Sequence, residues 1–518
     1  MALPLLVTAA VYLNALGGGF VYDDDLQIVH NPLLGDWANL GHGFVTDVWH
    51  FYTRLQPEVQ AAYYRPLFTA YLTVGYQLFG MTAWLWHGAS LAVHLLAVAG
   101  AYGVARRTLP TGGACAAAAL FGLHPVHSES VAWISGVTDP LMTALLFGAI
   151  ILSSRPGRWP GLGGPALFAA ALLTKETAFT FVVAIPLLMA NEEEGRPSLR
   201  RLARRAAPYV AVAAAVFLLR LAVVGYVSLA DPAWPQHGPW LLHLPWAFAF
   251  YLRLALLPVN LNLFYELPPI GSLGDGRFLG PLLLLAALAV VTAVHGRRHR
   301  VVREAVILFV LPLAPALNLV TFHPGTALHD RYLYLSAMAP ALLVGWGLTR
   351  LAARFPHRRW GAVTVAALIA CAALTYRRNT VWVDDDTLYL SALAGAPEHP
   401  WALEVAGGVH AERGQHDLAR AEFEAAVLRD PWRADAWSQL ALLDLMQGYG
   451  NVSALAKAKR AVEVRPTAYR LKNLALVHLD RGEAGEALDL VRRVVELEPT
   501  AAHRALLARV EAEAAAPP

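Results

Sequence analysis

The chain has 518 residues, 57% of them hydrophobic and only 15% charged. A soluble domain carries about 25% charged residues, so the composition excludes an ordinary soluble protein and points to an integral membrane protein. The formal net charge of +3 offers no basic surface for nucleic acid. The two cysteines, Cys115 and Cys371, lie in alanine-rich apolar runs and imply neither a disulfide framework nor a zinc site.

In chain order, the first apolar run covers 2–16, is broken by Gly17 to Gly19, and leads into the triplet Asp23, Asp24 and Asp25. It lacks a basic leader and a clear cleavage site before the aspartates, so it is expected to be a retained helix. Carboxylates at the mouth of a membrane helix are costly, and an adjacent pair suits a general base. A solvated loop is the competing reading. Further apolar runs fall near 84–105, 112–123, 139–152, 161–173, 177–190, 208–228, 241–258, 278–295, 304–321, 331–350 and 361–376. Several are shorter than the ~20 residues of a straight span, as in helices that break inside a protein or line a wet cavity.

Basic clusters follow these runs at Arg106–Arg107, Arg155 with Arg158, Arg196 to Arg205, Arg297 to Arg303, and Arg354 to Arg359. Placing them all on the cytoplasmic side puts the first aspartates outside. The run 241–258, with Trp240, His243, Pro245, Trp246 and Arg253, suits an interfacial or re-entrant helix, which leaves about eleven spans. The outer segments then hold Tyr63-Tyr64-Arg65-Pro66, the string His124 to Glu129, Trp133, Asp139, Thr174-Lys175-Glu176 and His329-Asp330-Arg331-Tyr332. Carboxylates beside Arg and Lys suit a base that deprotonates a hydroxyl while cations hold a phosphate leaving group. Alternatives stay open for each piece. Arg65 could be a snorkelling anchor. Lys175 could pair with Glu176, and Asp330 with Arg331. His124 and His127 lack a third ligand at metal spacing. The second triplet, Asp384 to Asp386, suits a helix cap.

From about residue 380 the chain is charged and alanine-rich. Pro431, Pro466 and Pro499 are 35 and 33 residues apart, close to the tetratricopeptide period of about 34. Leu403, Gly407, Gly414, Ala419, Phe423 and Ala426 fill the small and apolar positions of a first unit. The second uses Trp437, Leu440, Ala441, Gly448 and Ala461, with one extra residue near Gly450, and the third Leu471, Leu474, Ala475, Gly482 and Ala487. A last helix from Ala501 to about Ala514 would cap the array. The expected organisation is all-α: a multi-spanning membrane domain over 1–378 and a tetratricopeptide-repeat solenoid over 379–518.

The strings FVYDDDLQIVHNP, YYRPLF, HPVHSESVAWISGVTD, LLTKET and LNLVTFHPGTALHDRYLYL, followed by the repeats, occur in one order. This order resembles that of the transmembrane and tetratricopeptide-repeat O-mannosyltransferases and their bacterial relatives. The resemblance implies the GT-C glycosyltransferase fold and a polyprenyl-phosphate sugar used on the extracytoplasmic side of the membrane. It matches Asp23-Asp24 to the family's acidic pair. It also departs from the family: Gly136-Val137-Thr138-Asp139 lacks the arginine usual in that string, and Asp330-Arg331 stands for the usual Glu-Arg.

The expectation is an inverting transferase of a sugar, mannose by resemblance, to hydroxyls of a protein or peptide acceptor presented by the solenoid. Asp23 or Asp24 would be the base. Arg65, Lys175 and Arg331 would bind the donor phosphate, and His127, Glu129, Asp139 and Asp330 the sugar or acceptor. No metal or other cofactor is called for. The short loops and the Ala- and Arg-rich composition suggest a bacterial cytoplasmic membrane. Two rivals are a related enzyme that glycosylates a lipid or polysaccharide, and a non-catalytic membrane-anchored scaffold.

Overall fold

A computed structural model describes residues 1–53, 63–155, 158–191, 198–225, 240–319, 326–355, 359–448 and 451–515. Arg196 and Arg358 of the basic clusters, residues 322–325 of one outer segment, and the extra residue near Gly450 lie outside these. The described residues form helices and connecting turns, with no β-strand among them. They divide into two compact units. One is drawn from Met1–Val48, Ala62–Leu263 and Leu267–Thr387, the other from Trp49–Ala61, Phe264–Glu266 and Leu388–Pro518.

The first unit is a membrane protein's. Among the described residues five helices are long and apolar enough to cross a bilayer: Ala83–Ala105, Ile134–Ser153, Leu199–Val224, Gly276–Gly296 and Trp360–Trp382. Five shorter apolar helices accompany them: Ala2–Gly17, Thr111–Gly122, Gly161–Leu172, Glu176–Ala190 and Trp240–Leu256. These are ten, and one of them, Trp240–Leu256, covers the run expected not to cross; eleven crossings would count the other shorter helices together with Arg300–Leu313 and Met338–Arg354. Large apolar side chains such as Leu3, Leu96, Leu218, Leu283, Val290 and Ile369 are exposed, as lipid-facing residues are. Between helices the contacts are made by small residues, as is usual in membranes. A Cβ on Gly345 would stand 2.5 Å from the Gly113 carbonyl oxygen, so Thr111–Gly122 and Met338–Arg354 meet backbone to backbone there. The segment 124–138, expected as an outer loop, is folded inward. It consists of three short helical pieces, Pro125–His127, Ser128–Ala132 and Ile134–Val137, and every residue in it is buried.

The second unit contains three helical hairpins: Pro400–Glu412 with His416–Arg429, Ala434–Gln447 with Asn451–Val464, and Ala468–Asp480 with Ala484–Leu497. Ala501–Ala515 packs on the last of them through Val510. The turn glycines Gly414, Gly448 and Gly482 have φ of +72°, +70° and +77° and recur every 34 residues (448−414 and 482−448). Only glycine adopts this left-handed turn without a Cβ penalty. Leu403, Ala419, Phe423, Ala426, Leu440 and Leu443 form the core between the first two hairpins. The unit also takes in a piece from earlier in the chain: Phe264 stacks on His399, with ring centroids 5.3 Å apart and planes 7° from parallel.

Candidate active site

All the candidate residues lie in the membrane unit. Its first helix continues into a 3-10 turn, Leu13–Gly17, and the chain then bends back. Gly19 N–H donates to the Val383 carbonyl at 2.9 Å. Tyr22 adopts φ of +58°, which for a bulky residue costs on the order of 1 kcal/mol and persists only where the surroundings enforce it. Its N–H donates to Asp385 Oδ1 at 2.7 Å. Its ring meets Trp133 edge-on at 5.5 Å, and Trp133 in turn stacks on Trp382 at 6.3 Å.

The three aspartates that follow have separate environments. Asp24 is fully buried. Its Oδ1 accepts from Ser135 N at 2.8 Å and Ser135 Oγ at 2.5 Å, and its Oδ2 from Val21 N at 3.2 Å. The carboxylate thus fastens the first loop to the Ile134–Val137 turn. Burial pushes its pKa up to about 7, against the lowering effect of the hydrogen bonds from Ser135 and Val21. Asp23 is partly accessible, and its carboxylate makes no hydrogen bond among the described residues. Burial lifts its pKa to about 6, while the positive charge of Arg331 works the other way. Asp25 is exposed, with Oδ1 3.1 Å from His30 Nδ1.

The three candidate cations are each held by a carboxylate. Arg331 sits on Glu129: its backbone N–H donates to Oε2 at 3.0 Å and its Nη1 to Oε1. Its guanidinium also lies 5.5 Å from the Trp133 ring centroid. Burial opposes the Arg331 charge, but Glu129 outweighs it and holds the pKa above the usual arginine value. Lys175 Nζ donates to Asp139 Oδ1 at 2.6 Å, and burial draws its pKa down despite that partner. Arg65 grips Glu176, with Nε and Nη2 3.0 and 2.8 Å from Oε2. Lys175 feels the charges of both Arg65 and Arg331, and Arg65 feels Asp139. Asp23, Arg65, Lys175, Arg331, Glu129 and Asp139 therefore form one electrostatic neighbourhood. It combines a partly open carboxylate, three cations, and a buried Asp139 Oδ2 with no hydrogen-bond partner among the described residues.

Two neighbour pairings open at sequence level are not formed. Lys175 is extended, at φ −158° and ψ 141°, so its side chain and that of Glu176 point to opposite sides and find Asp139 and Arg65 instead. Asp330 and Arg331 lie in a 3-10 turn that separates successive side chains by about 120°. Asp330, 1% exposed, faces Arg378 at 3.5 Å, while Arg331 faces Glu129. His127 is not brought to the charged cluster. Its Nε2 is 3.0 Å from the Tyr334 carbonyl, and its ring packs among Phe121, Tyr334, His94 and His124. That surrounding keeps it neutral, with its pKa well below the usual value through burial. Among the described residues no group of three His, Cys, Asp or Glu is arranged to hold a metal ion.

Ser135, Glu176, Arg378 and Asp385 belong to the site's framework and were not expected there. Ser135, Glu176 and Asp385 stood inside noted strings without a role at the site, and Arg378 stood outside them. Ser135, Arg378 and Asp385 are linked to the site across 48 to 363 residues, and no periodicity marks such pairings.

No family model matches the chain. Among curated proteins it is similar to protein O-mannosyl-transferase F38B6.6 of Caenorhabditis elegans, at 25% identity over 435 residues, which covers 81% of this chain and 61% of that protein. It is also similar to human protein O-mannosyl-transferase TMTC1, at 25% identity over 83% of this chain and 55% of the relative. With Drosophila melanogaster protein O-mannosyl-transferase Tmtc2 the identity is 31%, over 52% of this chain and 31% of the relative. The chain thus spans roughly a third to three fifths of the length of these three relatives. Among solved structures, the Cut9–Hcn1 assembly of APC/C covers 88% of this chain at 14% identity but with a TM-score of 0.27. The first tetratricopeptide repeat of Spaghetti (RPAP3) bound to an HSP90 peptide covers 23% of it at 18% identity and a TM-score of 0.22. Neither score carries an argument about fold or function.

Proposed function

We propose that the protein is a membrane glycosyltransferase that moves mannose from a polyprenyl-phosphate donor to a hydroxyl of a protein acceptor, with inversion, on the extracytoplasmic side. The observation that carries this reading is a partly open carboxyl, Asp23, with its pKa lifted to about 6 beside the guanidinium of Arg331. The names of the relatives support the reaction class.

In one displacement the Asp23 carboxylate takes the proton of the acceptor hydroxyl. The hydroxyl oxygen bonds to the anomeric carbon from the face opposite the leaving group. The bond from that carbon to the phosphate oxygen breaks, and its electron pair stays on the phosphate. Arg331, Lys175 and Arg65 hold the charge that collects there. Their partners Glu129, Asp139 and Glu176 keep them aimed, and the unpartnered oxygen of Asp139 is available to a sugar hydroxyl. Asp24, with both oxygens engaged, keeps Asp23 in place, and the solenoid presents the acceptor protein.

The test uses purified protein in nanodiscs, given polyprenyl-phosphate mannose and candidate acceptor proteins, with intact-mass detection. Asp23→Asn should keep its melting temperature and lose transfer by roughly a hundredfold or more. Transfer by Asp23→Asn at the wild-type rate would overturn the assignment of the base.

A further inference from the structure

The second aspartate triplet is not absorbed by the reaction, and its members have separate tasks. Asp384 Oδ1 accepts from Thr387 N at 2.7 Å, the expected capping bond at the start of the helix Asp385–Gly395. Asp385 does something that a helix start does not require. Its Oδ1 accepts from Tyr22 N, 363 residues away in sequence, at 2.7 Å.

We infer that Asp385 is a positioning residue for Asp23, holding the base-bearing loop in place through the backbone of Tyr22. The inference rests on the reading of Asp23 as the base. Tyr22 is one of only two non-glycine residues with positive φ among those described, and it immediately precedes Asp23. A relaxation of its φ to a negative value would redirect the next side chain. Something must therefore hold it, and a charge-assisted bond from its own N–H acts at the strained residue itself. The same short segment holds the loop a second time, through the bond from Gly19 N–H to the Val383 carbonyl. On the other side, Asp24 fastens the loop to Ser135. Asp23 is thus presented between two anchors while its own carboxylate makes no hydrogen bond among the described residues.

The experiment compares wild type, Asp385→Ala, Asp385→Ser, Asp385→Asn and Asp23→Asn in nanodiscs. It reads mannose transfer and amide hydrogen exchange of the peptide spanning residues 19–25. Serine keeps a residue favoured at helix starts but withdraws the oxygen from Tyr22; asparagine keeps an acceptor within reach. The alanine and serine variants should exchange faster in this peptide. They should lose kcat by roughly ten- to a hundredfold with the KM for donor unchanged, while asparagine stays within a few fold of wild type on both measures. Wild-type exchange in every folded truncation overturns the inference, whatever happens to transfer. Faster exchange with wild-type kcat overturns it too, because the loop would then be tethered without consequence for the base. Loss in Asp385→Asn as large as in the truncations also counts against it. Wild-type transfer by Asp23→Asn instead removes the reading on which the inference rests, a result separate from the exchange data.

Discussion

In the solenoid, Glu404 and Asp444 use both carboxylate oxygens, whereas in the membrane unit Asp139 uses one and Asp23 none among the described residues. Glu404 accepts from Arg433 Nε and Ala436 N, each at 3.0 Å, and from Arg433 Nη2. Asp444 accepts from Arg420, Ser453 and Lys457, each at 2.7 Å. These are closed networks, in which a buried charge is fully matched. In the membrane unit, Glu129 and Asp24 are fully engaged, while Asp139 Oδ2 and the Asp23 carboxylate make no hydrogen bond among the described residues. Unmatched buried polar atoms are uncommon in native structures; in this unit they also occur at residues such as Thr8, Tyr12 and Glu304, so it is the placing of Asp23 and Asp139 beside three cations that marks the proposed site.

The sharpest way to break the comparison is to remove one cation from each unit. Arg433→Ala leaves Glu404 buried and unpaired, and Arg331→Ala does the same to Glu129. Each is expected to cost about 3–5 kcal/mol of stability, read by thermal unfolding. Only Arg331→Ala should also abolish transfer per folded molecule; if it loses stability alone, the two networks are equivalent and the site assignment fails. A smaller effect is expected from pH. With the two acidic-loop carboxyls lifted from their usual value to about 6 and about 7, transfer should fall as pH drops through about 6, approaching tenfold per unit as the base is protonated. Stability should move the opposite way. The folded protein holds protons between about pH 4 and 7 that the unfolded chain releases, so stability declines as pH rises across that window. A transfer rate that stays flat from pH 7 to 5 would contradict the base. The smallest effect belongs to the solenoid turns. Gly482→Ala at φ +77° should cost about 1 kcal/mol, lower the melting temperature, and leave kcat alone.

Much of the architecture was legible because it repeats or is a matter of bulk composition. The apolar runs mark the membrane unit, and the prolines near residues 431, 466 and 499 mark a period that the turn glycines then show at 34 residues. The charged strings were legible as strings, and their convergence is what the fold supplies. Who pairs with whom was not legible, since the pairs Lys175–Asp139, Arg65–Glu176 and Arg331–Glu129 join residues 36, 111 and 202 apart. Adjacent residues are poor partners, as Lys175 and Glu176 illustrate, because local backbone geometry sends their side chains apart. His127 stands apart from these pairs for a related reason. A histidine in a polar string reads as reactive until its surroundings are known, and here they are aromatic.

The bond between Asp24 and Ser135 also has a meaning for biogenesis. The acidic loop precedes Ser135 in the chain, so this bond forms only after more than a hundred further residues have followed. The opposite tether waits for Asp385, beyond the final apolar helix of this unit. A chain that has inserted only its early segments therefore carries the acidic loop without these two bonds, and on the proposed reading the base takes its place only when the membrane unit is complete.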